Sequence, residues 1–273
     1  MSLIKEHRIN NCIVNPVPVD AQTKEDLKPI RGCELFSELY CNAFLLAKKK
    51  SGKTTLLYKI VKECTDPRTK VFAFVSTVNK DKTYSMIKKY CKSKDIEFQG
   101  FTSLTEDGEN ILQTLVEQLQ KEKPEDEEEE DKPKMKSIIL CDSDEEDKPK
   151  KRKYKYRVPE YLFILDDLST ELNTPAVTAL LKKNRHFKSK IIISNQYWND
   201  LSKSGRKNLD YMIIFGAQPK EKMLEMHKEL DLSTSFDKFY EIYKYATEER
   251  YNFLYIDVVN EEYRRNFNIK LTI

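Results

Sequence analysis

No apolar run in the chain approaches the roughly 20 residues that a membrane span needs, which argues against a helical membrane protein. The first residues, Met1-Ser-Leu-Ile-Lys-Glu-His-Arg8, are too polar for a secretory signal. Cysteine is sparse and forms no recognisable pattern. Cys12, Cys33, Cys41, Cys64, Cys91 and Cys141 include no C-x-x-C pair and have no companion histidine at zinc spacing. A zinc module and a disulfide framework are therefore disfavoured, and reduced intracellular thiols are expected. No internal repeat is evident, which argues against a solenoid or propeller. No motif for reading a nucleic-acid sequence is found either. These absences describe a soluble intracellular protein without a membrane partner.

What is present is charge, and it is segregated. The 273 residues are 34% charged and 39% hydrophobic, with a formal net charge of only +3. Such a length accommodates one large or two ordinary domains and buries a substantial core. Acidic blocks at Pro124-Glu-Asp-Glu-Glu-Glu-Glu-Asp131 and Asp142-Ser-Asp-Glu-Glu-Asp147 are followed by the basic run Pro149-Lys-Lys-Arg-Lys-Tyr-Lys-Tyr-Arg157. Segments of this kind bury too little apolar surface to fold, so residues 122–157 are expected to be a largely disordered insertion. A solvated linker is its plainest role. A nuclear-import signal or DNA contact in the basic run, held back by DNA-mimicking acids, is a sharper one. Ser143, ringed by acids, suits an acid-directed kinase.

Residues 1–40 form an N-terminal extension expected to pack on the core, with an extended edge segment at Asn15–Val19 and a short helix or strand over Leu35–Tyr40. From residue 41 to 273, apolar strands alternate with amphipathic helices. Strands are expected at Ala43–Leu46, Lys70–Ser76, Ile96–Phe98, Tyr161–Leu165, Lys190–Ser194, Tyr211–Phe215 and Asn252–Asp257. Helices are expected at Lys53–Glu63, Asp81–Cys91, Glu109–Lys121, Asn173–Asn184, Glu221–Leu230 and Asp237–Thr247. The alternation argues a three-layer α/β fold with a mainly parallel central sheet.

Within this frame, Ala47-Lys48-Lys49-Lys50-Ser51-Gly52-Lys53-Thr54-Thr55 lies between a buried strand and a helix, the context of a phosphate-binding loop. Unpaired amides at a helix start carry about half a positive charge and cradle phosphates together with the loop amides. Lys53 would reach the outer phosphates, and Thr54 would hold Mg²⁺ through its hydroxyl. The pattern G-x-x-x-x-G-K-[ST] wants glycine where the chain has Ala47. A non-glycine residue forced to positive φ there would cost roughly 1–2 kcal/mol. Against the roughly 8 kcal/mol of micromolar binding, that weakens a site without abolishing it.

Ligands of open α/β sheets bind at the carboxyl ends of strands. Asp166-Asp167 sits at one such end, Asp166 suited to the metal and Asp167 to the attacking water. Asn195-Gln196 ends the next strand, where an amide could touch the γ-phosphate and sense the bound nucleotide. In ATPases with an additional strand, this one lies between the two nucleotide-binding strands. Positive charge for the transition state should come from arginine or lysine, and Arg185 and Arg206 flank the sensing strand.

The ordered set AKKKSGKTT, VFAFVSTVNKDKTY, YLFILDDLS, NRHFKSKIIISNQ and SGRKNLDYMIIFG, over about residues 40–230, resembles the viral genome-packaging ATPases of the FtsK–HerA superclass. The resemblance implies a P-loop NTPase of the additional-strand type, assembled as a homo-oligomeric, hexameric ring. It implies ATP hydrolysis with Mg²⁺, coupled to sequence-nonspecific pumping of double-stranded DNA into a capsid whose proteins are further partners. The setting implied is the host cytoplasm or nucleus at virus assembly sites, or the virion. Carried over by position, Lys53 and Thr54 bind phosphate and metal, Asp166 is the metal carboxylate, Asp167 the catalytic one, and Gln196 the sensor. Arg185 and Arg206 face a nucleotide in their own or the neighbouring subunit. The superclass often has Glu where this chain has Asp167, and the charged insertion is extra.

Three other functions fit parts of the pattern. A cellular HerA-like or FtsK-like translocase or helicase would use the same engine. A small-molecule kinase would need an arginine-bearing lid and an acceptor pocket. A non-hydrolysing scaffold is motivated by Ala47.

Overall fold

The computed structural model describes residues 27–78, 81–106, 108–121 and 154–272. Strands β1 (Asn42–Leu46), β2 (Lys70–Val75), β3 (Glu97–Phe101), β6 (Tyr161–Asp166), β7 (Ser189–Asn195), β8 (Tyr211–Phe215), β9 (Phe253–Asp257), β10 (Glu262–Arg265) and β11 (Ile269–Leu271) form one sheet. A small hairpin of β4 (Thr105–Glu106) and β5 (Glu109–Asn110) stands apart from it. The order across the large sheet is β11-β10-β9-β8-β1-β7-β6-β2-β3. The run from β8 to β3 is parallel throughout, and β9, β10 and β11 extend the other edge antiparallel. Strand β7 lies between β1 and β6, as the additional-strand expectation requires.

Alternation of side chains across the pleat produces two cores. Phe44, Leu46, Phe72, Phe74, Phe163, Leu165, Ile191 and Ile193 face one side. There they meet α3 (Ile111–Lys121), α4 (Pro175–Lys182), α6 (Lys220–Glu229) and α7 (Phe236–Ala246). Ala43, Leu45, Val71, Ala73, Leu162, Ile164 and Ile192 face the other. That side is covered by α1 (Lys53–Cys64) and α2 (Lys82–Ser93) through Leu57, Ile60, Tyr84, Ile87 and Cys91. The central strands are buried on both faces, which explains their near-continuous apolar runs.

Several boundaries differ from expectation for local reasons. Helix α3 starts at Ile111 because Asn110 Oδ1 accepts from the Gln113 amide and residues 109–110 are used in the hairpin. Helix α4 starts at Pro175, with Thr174 as its cap, after a short 3-10 turn at Ser169–Leu172. A further short helix, α5 (Lys203–Arg206), and the strands β10 and β11 were not expected. Leu35–Tyr40 is neither helix nor strand: Leu35 and Phe36 are buried from a turn whose amides bond back to the Gly32 carbonyl.

Residues 154–157, expected to belong to the insertion over 122–157, are among the described residues and meet the core. Arg157 pairs with Ile30 through a parallel bridge, and Arg68 bonds the Tyr156 carbonyl while packing on the Tyr154 ring. The acidic blocks, most of the basic run, Ser143 and the Asn15–Val19 segment lie outside the described residues. No helix among the described residues is long and apolar enough to cross a membrane.

Candidate nucleotide site

The turn between β1 and α1 is anchored at its start by the Ala47 amide, which donates to the Asn195 carbonyl at 3.0 Å. Ala47 is fully buried and is not among the residues at positive φ, so the backbone strain expected there is absent. The left-handed positions are Lys50 (φ 64°) and Gly52 (φ 95°). The loop thus reverses three residues later than the glycine pattern anticipates.

Gly52 starts α1 without a side-chain cap, and no acid occupies the first turn. The amides of Lys53, Thr54 and Thr55 have no partner inside the helix, and the helix dipole favours an anion there. Ser51 Oγ is buried and makes no hydrogen bond among the described residues. An orphaned buried hydroxyl beside open amides fits a phosphate ligand. Lys48, Lys49 and Lys50 are exposed, as is Thr55, and Thr54 is half-buried.

The lysine of the loop meets the paired acids. Lys53 Nζ lies 2.8 Å from Asp167 Oδ2 and 3.3 Å from Asp166 Oδ1. Gln196 Nε2 donates to the other oxygen of Asp167 at 3.0 Å. Tyr84 OH, from α2, donates to Asp166 Oδ2 at 3.0 Å. Three strands and two helices therefore converge at one end of the sheet. Asp167 holds φ at 55° and its amide bonds the Ser194 carbonyl, which turns its side chain out of strand register. Aspartate tolerates that conformation better than most residues.

The two carboxylates have opposite electrostatics. Burial raises Asp166 above the usual carboxylate range, with the Lys53 charge and neighbouring hydroxyls only partly offsetting it. Burial also pushes Asp167 up, but hydrogen bonds from Gln196 and Lys53, with the charges of Lys53 and Lys49, outweigh it and leave Asp167 low. Environments that push a neighbouring pair apart are a common signature of divided chemical roles.

No group of three or more His, Cys, Asp or Glu side chains is placed to hold a metal among the described residues. Mg²⁺ bound through one or two carboxylates, a hydroxyl and substrate phosphate oxygens needs no such cage, so Thr54 and Asp166 fit it.

The two arginines do not join this group. Arg185 is exposed in the turn between α4 and β7, at the amino edge of the sheet. It lines a cleft of about 410 Å³ with Asn42, Lys182, His186, Lys207 and Asp210. A five-residue strand is about 16 Å long, so Arg185 stands a full strand away from the phosphate loop of its own chain. Arg206 is committed elsewhere. Its guanidinium pairs with Glu229 at 2.9 Å, donates to the Trp198 carbonyl and Asn199, and packs on the Trp198 ring. Asn195 is likewise structural, bonding Asp200 and the Gln196 amide.

Tyr84 is the contributor that sequence reasoning passed over. It shares with Ile87 and Cys91 the buried face of α2. Only the fold reveals that its hydroxyl ends on Asp166.

No protein-family model matches the chain, and no curated protein matches it by sequence. Solved structures do match. The genome packaging NTPase B204 of Sulfolobus turreted icosahedral virus 2, in complex with AMP, aligns with a TM-score of 0.51 at 17% identity over 84% of this chain and 98% of that one. Its complex with ATP-gammaS gives 0.51 at 17% over 85% and 99%. B204, the DNA-packaging ATPase from Sulfolobus Turreted Icosahedral Virus, gives 0.50 at 15% over 83% and 96%. The likeness extends over nearly the whole of those chains and establishes the architecture as a P-loop NTPase α/β fold.

Proposed function

We propose that this chain is an ATP-driven motor that moves double-stranded DNA into a viral capsid, working as a homo-oligomeric, hexameric ring at the site of virus assembly and docking on capsid proteins. The observation that carries the reading is the convergence of Lys53 from the uncapped start of α1, Asp166 and Asp167 from the end of β6 and Gln196 from the end of β7 onto one point. A polar turn after a strand would not bring a buried lysine onto paired acids from 113 positions away in sequence, as 166 − 53 gives.

Mg²⁺, when bound, would neutralise charge on the phosphates and orient the γ-phosphoryl group for in-line attack. The chain's own residues divide the remaining work. Lys53 exchanges its carboxylate partners for phosphate oxygens, which removes the hydrogen bond and charge that hold Asp167 low. Asp167 then becomes the stronger base and accepts a proton from the attacking water. Gln196, bonded to Asp167, orients that water and registers its loss. Asp166 and Thr54 hold the metal.

A cation for the transition state is supplied in trans. Arg185 belongs to the amino edge, so a ring that sets the amino edge of one subunit against the phosphate loop of the next brings it to the neighbour's nucleotide. The small-molecule kinase reading has no support in a site that spends an amide on the catalytic carboxylate. The scaffold reading loses its motive because Ala47 is unstrained.

The test is ATP hydrolysis by the full chain with and without duplex DNA at several salt concentrations. The expected result is turnover stimulated by duplex of any sequence, with log affinity for DNA falling by about 0.9 per phosphate contact per log unit of salt. A phosphorylated small-molecule product would select the kinase, and no hydrolysis with any nucleic acid would select the scaffold.

A further inference from the structure

The amino edge of the sheet carries positive charge that its own fold does not neutralise. Between residues 182 and 207 the chain has a single acid, Asp200, which lies past the other end of β7 and accepts from Asn195 at 2.7 Å. Lys182, Lys183, Arg185 and His186 crowd the turn after α4, Lys207 stands in the turn before β8, and all are exposed. Cations complement the end of α4, but a helix dipole there amounts to about half a charge. Lys182, Lys183 and Lys207 make no ion pair among the described residues.

The two basic turns are pinned to each other. Asn42, at the start of β1 and 2% exposed, donates from Nδ2 to the Leu181 carbonyl at 2.9 Å and the Asn208 carbonyl at 2.7 Å. The cleft of about 410 Å³ between them therefore has fixed walls. Asp210 is the one acid in its lining. Its Oδ2 is spent on the Asn42 amide at 2.8 Å, and burial holds its carboxyl above the usual range. Val258 and Val259 line the cleft too, and Val259 is 73% exposed. An apolar wall beside cations suits a protein surface that carries an anion better than a bare phosphate backbone.

The phosphate-loop end of the sheet is positive as well. Lys48, Lys49 and Lys50 are exposed, no acid lies in the first turn of α1, and Lys53 takes both Asp166 and Asp167. The turn that meets Gly52 through Tyr251 adds Glu248, Glu249 and Arg250, with Glu249 bonded to Asn252 at 3.1 Å. The cations still outnumber the acids. Two such surfaces set face to face repel, and like charge across an interface suppresses association.

We propose that the amino-edge cleft seats a second copy of this chain whose phosphate loop holds a nucleoside triphosphate, and that the phosphates are the counter-charge without which the two edges stay apart. The inference rests on the head-to-tail ring of the reading above and adds a control to it. Such a contact is heterologous, so each subunit offers one edge to each neighbour. A triphosphate leaves the loop more negative than a diphosphate does, so hydrolysis loosens the contact that binding made. Arg185 meets the neighbour's phosphates, while Lys182 and Lys207 supply the field around it.

The experiment is sedimentation velocity of the full chain without nucleotide, with ADP and with ATP-gammaS, each with Mg²⁺, at low and high salt. Wild type is compared with the double variant Lys182→Glu/Lys207→Glu, whose melting curve reports its fold. Wild type is expected to associate at least about tenfold more tightly with ATP-gammaS than without nucleotide, with ADP between them. Salt is expected to strengthen its nucleotide-free association by screening the repulsion. The double variant is expected to associate without nucleotide and to weaken with salt. If the variant melts early, the wild-type series decides alone. Wild type that assembles equally with and without nucleotide leaves the ring standing and overturns the proposal, as does a folded double variant that keeps the full nucleotide dependence. Loss of duplex-DNA binding in the double variant with assembly unchanged gives the cleft to nucleic acid and overturns it too. Wild type that binds ATP-gammaS and stays monomeric throughout overturns the ring reading, and this one with it.

Discussion

The ammonium of Lys53 and the carboxylate of Asp167 meet at 2.8 Å, the one from the start of α1, which follows β1, and the other from the end of β6, two strands from β1. The contact makes the loop lysine and the acid pair a single electrostatic unit. A triphosphate that takes the lysine therefore changes the acid at the same moment.

Lys53→Ala is expected to abolish ATP binding, whereas Asp167→Asn is expected to bind ATP normally and to lose about 10²–10⁴ in turnover, the usual contribution of a positioned base. Direct binding and single-turnover hydrolysis of both variants separate the two roles. Binding by Lys53→Ala at wild-type strength would sink the assignment of the loop.

Tyr84→Phe removes the hydroxyl that bonds Asp166 and leaves a buried carboxylate oxygen one donor short. A loss of about 1–3 kcal/mol in unfolding free energy is expected, together with a raised Mg²⁺ requirement for turnover. Denaturant melts and a Mg²⁺ titration check it. Equal Mg²⁺ dependence in the two proteins would reduce Tyr84 to a packing residue.

The two arginines are expected to fail in opposite ways. Arg206→Ala should destabilise the fold by about 3–5 kcal/mol, because Glu229 is left without its partner against Trp198. Arg185→Ala should melt like wild type and yet lower turnover. Mixing it with Lys53→Ala should restore some activity if each supplies what the other lacks at a shared interface. Melting curves and mixed-subunit ATPase assays read both.

Alkaline pH should unfold the protein through its interior. Burial pushes the Cys41 thiol from an ordinary 9.0 up to about 12 and the Cys91 thiol up to about 11, despite the opposing charge of Lys190 near Cys41. A raised value means that the folded chain keeps protons the unfolded chain releases. Stability from these thiols is thus complete below pH 9.0 and is lost as pH climbs towards the folded values. Each contributes a fall of about 1.4 kcal/mol per pH unit inside that window. Denaturant midpoints between neutral pH and the alkaline end would show it, and Cys41→Ala should flatten the slope.

Much of this was legible in the sequence because the relevant signals are local. Runs such as Tyr161–Leu165 and Lys190–Ser194 are apolar throughout, as strands covered on both faces must be. Asp166, Asp167 and Gln196 follow those runs directly, so their placement at a strand end required only periodicity. The strands β10 and β11 were missed because Glu262–Arg265 and Ile269–Leu271 lie at the sheet edge, where one side meets water and polar residues dilute the pattern. The position of Arg185 follows from chain direction across a parallel sheet: the turn before a strand and the turn after it lie at opposite edges. Neighbourhood in sequence does not tell at which edge Arg185 stands, and topology does. Tyr84 reaches the site through tertiary contact alone, which no spacing encodes.

Because β7 is interleaved between the strand that feeds the phosphate loop and the strand that ends in the acids, those two have no backbone hydrogen bond in common. The middle strand is the spacer that sets the gap the lysine must bridge, and Gln196 is mounted on its tip. A slide of β7 along its axis by a fraction of an ångström would thus alter the lysine–acid distance and the aim of the amide together. Tension applied to the turn that follows, through Trp198 and Asp200, is a direct route by which load on the molecule could throttle its own chemistry.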